Sequence, residues 1–203
     1  MFITFEGTEG CGKTTQINLL YEYLLAKGYK VIKTREPGGT PLGESIRKML
    51  IQKAKAINPL AELLLMMAMR AQHVEDVIVP AITEKKIVLC DRFSDATYAY
   101  QGYGRGIDTN IIDYINRLAT KGIMPDLTIL IDIDIEGGLR RKSEDKGQMD
   151  RFEVEDISFH QRIRYGYHRL STENKDRFFV VDGSGDILRV HEIIRERIER
   201  HLE

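Results

Sequence analysis

A chain of 203 residues, 42% apolar and 30% charged, is long enough to bury the core of one domain and is neither collagen-like nor disordered in composition. Thirty Lys and Arg against thirty-one Asp and Glu leave a net charge of −1, so no basic field exists to hold a nucleic acid polymer. No apolar run reaches the ~18 residues of a membrane span, Met1 leads straight into a strand without a signal peptide, and two cysteines form neither a disulfide framework nor a zinc pattern. These features exclude a membrane role and point to the cytoplasm.

The first predicted strand is Phe2-Ile3-Thr4-Phe5, and a helical pattern with Ile17, Leu20, Tyr21 and Leu24 on one face runs to Gly28. Between them lies Gly7-Thr8-Glu9-Gly10-Cys11-Gly12-Lys13-Thr14, the G-x-x-x-x-G-K-[ST] pattern between a strand and a helix. Random composition produces that pattern at roughly 4 × 10⁻⁵ per window, too rarely for chance in a chain of this length. Its glycines turn backbone N–H groups toward a polyphosphate at a helix N-terminus. Gly7 to Thr15 are therefore the expected ATP-binding residues, with Lys13 on the β- and γ-phosphates and the Thr14 hydroxyl on Mg²⁺. Cys11, within the loop, reads as a tolerated small residue.

Lys30 to Thr34 form the second predicted strand, and Arg35-Glu36-Pro37-Gly38-Gly39-Thr40 demands a loop at its carboxyl end. Helical patterns follow at about 42–52 and from Asn58-Pro59, a cap with a first-turn proline, to about Lys85. The second is so apolar from Leu60 to Met69 that it is either the central core helix or part of a subunit interface. Ile87 to Cys90 is a short buried strand ending in Asp91-Arg92. A helix carrying Ser94, Thr97, Tyr100 and Gln101 then leads to a loop at Gly102–Gly106.

Asp108 caps a helix to about Lys121, and Leu127 to Asp132 is the most apolar strand of the chain. Residues 136–155, rich in charge and poor in apolar anchors, read as a mobile surface segment. A helix at about 156–174, a strand from Arg177 to Val181, the loop Asp182-Gly183-Ser184-Gly185 and an amphipathic helix from Ile187 complete the chain. His73, His160, His168, His191 and His201 lack ligand spacing and read as packing or surface residues. Five short strands separated by helices predict a three-layer α/β sandwich, a five-stranded parallel sheet covered on both faces.

In such sheets ligands bind beyond the carboxyl ends of the strands. This gathers Glu9, Arg35, Glu36, Asp91, Arg92 and Asp182 around the polyphosphate, with Asp91 beside Thr14 as the second expected metal ligand. A guanine-reading N-K-x-D after a strand is missing, since Asn174-Lys175-Asp176 is out of pattern, so a GTPase switch is disfavoured.

The successive blocks Phe5-Glu6-Gly7, Thr34-Arg35-Glu36-Pro37-Gly38-Gly39-Thr40, Asp91-Arg92-Phe93, Tyr100-Gln101-Gly102, Pro125-Asp126-Leu127-Thr128 and Asp150-Arg151-Phe152-Glu153 resemble, in order and over nearly the whole chain, the signatures of the bacterial thymidylate kinase family. The resemblance implies phosphorylation of dTMP to dTDP by ATP with Mg²⁺, in a homodimer. Carried over position by position, it implies that Glu9 lies by the sugar 3′-hydroxyl and the metal. Arg92, Arg35 and Arg47 hold the dTMP phosphate; Arg70 reaches the thymine edge, with Thr97 and Gln101 completing base recognition; Tyr100 crowds the 2′ position; and the Asp182-Gly183-Ser184 loop touches adenine. The segment at 140–151 becomes a lid over ATP. Because no arginine interrupts Gly7 to Lys13, the chain resembles the subgroup whose catalytic positive charge comes from the lid, here Arg140, Arg141 and Arg151.

Two features depart from the family pattern. Met66 stands where a phenylalanine usually stacks on thymine, and the middle of the lid carries Lys142, Ser143, Glu144, Asp145 and Lys146 where arginines are common. The alternatives are a kinase for another deoxynucleotide or a deoxynucleoside and, from a different class, an ATP-binding switch.

Overall fold

The structure is a computed structural model that describes residues 1–52, 56–144 and 150–202. Its five strands are β1 (Phe2–Glu6), β2 (Val31–Arg35), β3 (Ile87–Asp91), β4 (Leu127–Asp132) and β5 (Phe178–Asp182). All pair in parallel, in the order β2-β3-β1-β4-β5. Helices cover both faces, so the central strands are buried on both sides and read as continuous apolar runs rather than alternating ones. Among the polar exceptions are Thr4 and Thr128, register partners on β1 and β4, whose hydroxyls bond each other at 3.0 Å.

One layer holds α1 (Lys13–Ala26) and α9 (Ile187–Leu202), whose Ile17, Leu20, Leu24, Val190, Ile194 and Ile198 share a core with Phe5, Ile129 and Ile131. Opposite lie α2 (Pro41–Ile51), α3 (Pro59–His73), α6 (Thr109–Thr120) and α8 (Ile157–Glu173). As expected, the Asn58 side chain and Pro59 open α3, and Asp108 caps α6.

The helix expected to run unbroken to about Lys85 is instead interrupted: α3 passes into a π-helical turn, Val74–Ile78, before α4 (Val79–Thr83). Pro80 supplies the reason, since it has no N–H to donate and its ring crowds the preceding turn. A second correction concerns the loop expected at Gly102–Gly106. After α5 (Ser94–Thr97) the chain forms another π-helical stretch, Tyr98–Gly104, so Gly102 and Gly104 are helical. A Cβ on Gly104 would lie 2.8 Å from Phe159, so this glycine permits the close approach of α8.

The charged segment at 136–155 is also more anchored than its composition suggests. Its first part is α7 (Ile135–Glu144), and beyond it Arg151 and Glu153 are buried. Residues 145–149, including Asp145 and Lys146 of the expected lid, lie outside the described residues.

Between β3 and β4 the chain crosses over β1, which places the switch of direction beside the first loop. On the flank, α2, α3 and α6 pack side by side and leave Met49, Leu60, Leu64, Ile111, Tyr114 and Leu118 exposed.

Candidate active site

The loop Gly7 to Gly12 reverses the chain between β1 and α1 using three glycines at positive φ, Gly7, Gly10 and Gly12. A Cβ on Gly10 would lie 2.0 Å from the Gly138 carbonyl oxygen, so only glycine fits where the loop meets α7. At Gly12 no side chain caps α1, which leaves its first-turn amides for an anion. Lys13, 8% exposed, donates to the Gly7 and Thr8 carbonyls at 3.1 and 2.9 Å. Its ammonium is thereby held at the rim of the cradle.

Beside this loop opens a cavity of about 470 Å³ at the carboxyl ends of β1, β2 and β3. Arg92 follows β3 with φ +66, a left-handed conformation that a bulky residue adopts only where its surroundings over-determine it. Its guanidinium donates to the Gly7 carbonyl (2.9 Å), the Tyr167 hydroxyl (3.0 Å) and Glu9 Oε1 (3.0 Å), and lies over the Tyr100 ring. Although burial opposes the charge, the Tyr100 and Glu9 oxygens raise its pKa well above the ordinary value.

Glu9 shows the reciprocal effect. Burial alone would push its pKa up, but Arg92, Lys13 and the Tyr100 hydroxyl at 2.6 Å outweigh burial and lower it to about 2. Arg35 and Arg47 reach the cavity from β2 and α2. Arg35 forks onto both Glu44 oxygens at 3.0 Å, and Arg47 donates to the Pro37 carbonyl at 2.9 Å. Burial and the neighbouring Arg35 charge lower the Arg47 pKa, against the pull of Glu44, Asp150 and Asp91.

Thr14 Oγ1 donates to Asp91 Oδ2 at 3.2 Å, and both residues line the cavity. Among the described residues no group of three or more His, Cys, Asp or Glu converges to hold a metal. A hydroxyl and one carboxylate beside a phosphate cradle nevertheless fit Mg²⁺, which takes one or two protein oxygens and completes its shell with waters and substrate phosphates.

At the far end the lining is Met66, Ala96, Tyr100, Gln101 and Phe152. Behind it stand ion pairs. Arg70, fully buried, donates to Glu36, to Thr97 (2.7 Å), to Asn116 (2.6 Å) and to the Phe93 carbonyl (2.9 Å). Glu36 meets His73 Nδ1 at 2.8 Å with its other oxygen, and Thr34 meets His73 Nε2 at 2.6 Å. His73 is thus a member of this network rather than simple packing.

Of the sequence-predicted residues, Glu9 to Thr15, Arg35, Glu36, Arg47, Met66, Asp91, Arg92, Tyr100, Gln101 and Arg141 line the one cavity. Arg70, Thr97 and Arg151 stand in its wall without facing it; Arg151 pairs with Glu62 and donates to the Leu50 carbonyl at 2.8 Å. Arg140 and Asp182 are exposed outside the cavity. Sequence reasoning missed Glu6, Glu62, Tyr167 and Phe152. Glu62 and Tyr167 sit on helix faces among core residues, where their spacing signals packing alone.

The thymidylate kinase family model matches residues 5–194. The chain belongs to the thymidylate kinase family. Relatives include the thymidylate kinase of Geotalea daltonii, 54% identical over 92% of this chain and 90% of that one, and that of Thermoanaerobacter sp. (strain X514), 47% identical over 99% and 98%. The crystal structure of thymidylate kinase from Ehrlichia chaffeensis superposes with a TM-score of 0.80 at 40% identity over 98% of both chains. The matched residues take in the cradle, the residues lining the cavity, the end of β1 and the other four strands.

Proposed function

We propose that this chain transfers the γ-phosphoryl group of ATP to dTMP, giving dTDP for dTTP synthesis. Besides family membership, the observation that carries the reading is one cavity with the phosphate cradle at one end, Met66 and Gln101 at the other, and Arg92 between them. The acceptor oxygen of a phosphate monoester is largely ionised near neutral pH, its second pKa being about 6, so no base is required. Glu9 supports this choice, because a carboxylate of pKa about 2 is a poor base and a good hydrogen-bond acceptor for a sugar hydroxyl. A deoxynucleoside acceptor would want the opposite.

In this mechanism the chain supplies position and charge. The cradle amides of Gly7 to Thr15 bind the ATP phosphates, and Lys13 moves from its carbonyl partners onto the β- and γ-oxygens. Arg92, Arg35 and Arg47 hold the acceptor phosphate, and Tyr100 closes the 2′ side of the sugar. Thr14 and Asp91 would hold Mg²⁺, which when bound neutralises charge on the phosphate oxygens. From the lid at about 136–155 we assign the catalytic cation to Arg141, which lines the cavity and donates to the Gly183 carbonyl at 3.1 Å, in the Asp182 loop that the family resemblance assigns to adenine. Arg140 lies outside the cavity lining, and Arg151 is held by Glu62. Arg70 and Thr97 serve the base from behind the wall.

The single domain works as a homodimer in the cytoplasm, where ATP is available. Support for the dimer is the apolar flank of α2, α3 and α6, with Tyr114 and Leu118 each 73% exposed. The reading is tested by following ADP release with ATP and Mg²⁺ over the nucleoside monophosphates. Turnover should be highest with dTMP and near zero with thymidine or no acceptor. Preference for a nucleoside, or ATP hydrolysis without any acceptor, would refute it.

A further inference from the structure

Gln101 is a lining residue of the base end of the cavity, and the two ends of its amide are not equivalent. Nε2 donates to Glu62 Oε1 at 2.8 Å, while Oε1, buried, has no hydrogen-bond partner among the described residues. Glu62 is itself 0% exposed and is flanked by two guanidiniums, Arg105 and Arg151, with Arg105 held in turn by Glu155 at 2.6 Å. A carboxylate in that setting accepts and cannot donate, so the amide has one permitted orientation: NH₂ toward Glu62, carbonyl oxygen left over. An unpaired buried acceptor asks its ligand for a donor.

We propose that Glu62, a residue outside the cavity, determines pyrimidine selectivity by fixing the polarity of Gln101. The inference rests on the dTMP kinase reading above. Thymine and uracil carry N–H at ring position 3 and satisfy the carbonyl; cytosine carries a lone pair there and would set acceptor against acceptor. Glu62 is a positioning residue acting through Gln101, and Arg105 and Arg151 keep its charge in place.

The conservative variant Glu62→Gln inverts the device. Arg105 and Arg151 can only donate, so they draw the oxygen of the new amide and turn its NH₂ toward Gln101, which must then offer its own NH₂ to the cavity. kcat/KM for dTMP, dUMP and dCMP should be measured in the parent and in E62Q, with thermal midpoints as a fold control. The expected result is a fall in the dTMP to dCMP ratio of ~10–100-fold, mainly through KM for dTMP, with the dTMP to dUMP ratio unchanged because both bases carry the position-3 hydrogen. An unchanged dTMP to dCMP ratio in folded E62Q overturns the proposal.

In a Gln101→Met background E62Q should alter the ratio no further, and an additional several-fold change there would show that Glu62 does not act through Gln101. Should E62Q not fold, the Gln101 side-chain amide protons can be followed by 15N NMR in the unsubstituted protein. They should keep their carboxylate-bonded shifts when dTMP is added; loss of those shifts sinks the proposal. Absence of dTMP turnover in the parent would instead defeat the functional reading, so the two failures are distinguishable.

Discussion

The two ends of the cavity use the same residue types to opposite purpose. At the phosphate end Arg92, Arg35, Arg47 and Arg141 line the space with their guanidiniums, so their charge is available to a bound anion. At the base end Arg70 and Arg151 are just as cationic, yet neither lines the cavity: they donate to Glu36, Glu62 and neighbouring oxygens and shape a wall. What separates the two sets is whether the arginine borders the cavity, as Arg92 does despite its three hydrogen bonds, or lies outside its lining as the counter-ion of a fully buried carboxylate, as Arg70 does for Glu36.

The comparison predicts graded consequences, and the largest belongs to the phosphate end. Lys13→Ala or Arg92→Ala should lower kcat by at least ~10²–10³-fold in a folded protein, read by ADP release alongside circular dichroism. Near-parental turnover in either would remove the assignment. At the base end, Arg70→Ala leaves buried Glu36 with His73 as its one charged partner among the described residues, so unfolding free energy in urea should fall by about 3–5 kcal/mol. If that variant were as stable as the parent, the wall role would be wrong. Arg151→Ala, whose partner Glu62 keeps Arg105, should cost roughly 1–3 kcal/mol, whereas Arg141→Ala should slow turnover with little change in stability. The reverse pattern would return the lid's catalytic charge to Arg151.

Two carboxylates three positions apart sharpen the same contrast by pH. Burial and the Asp95 charge raise Glu6 from 4.5 to about 8, against the pull of Arg92, while Glu9 lies at about 2. For Glu6 the native state holds a proton that the unfolded chain releases, so its contribution is fully present below pH 4.5 and is lost as pH rises toward 8. For Glu9 the contribution is present above pH 4.5 and is lost as pH falls toward 2. Glu6→Gln, which keeps an acceptor for the Phe93 amide, should therefore flatten the decline of the urea midpoint between pH 5 and 8. A slope equal to the parent's would exclude Glu6 as its source. The smallest effect expected is at Met66: Met66→Phe should lower KM for dTMP by ~2–5-fold through ring stacking and leave kcat alone. Equal KM values would show that position 66 does not stack on the base.

Much of this protein was legible before folding was considered. Gly7 to Thr14 fixes a phosphate cradle by local chemistry, because positive-φ glycines and a helix N-terminus need no distant partner. The central strands were readable because strands buried on both faces demand nearly uninterrupted apolar runs, and Asp108 and Asn58 announced their helices as caps. What stayed hidden depended on neighbours far along the chain. Arg70 and Arg92 look alike in one dimension, and only packing shows that the first is enclosed by Glu36, Thr97 and Asn116 while the second borders open space. Glu62 was indistinguishable from any helix carboxylate until residues 101, 105 and 151 converged on it. Charge and hydrogen-bonding capacity are written in residue type, but whether they face a ligand or another side chain is decided by long-range contacts, which local sequence does not encode.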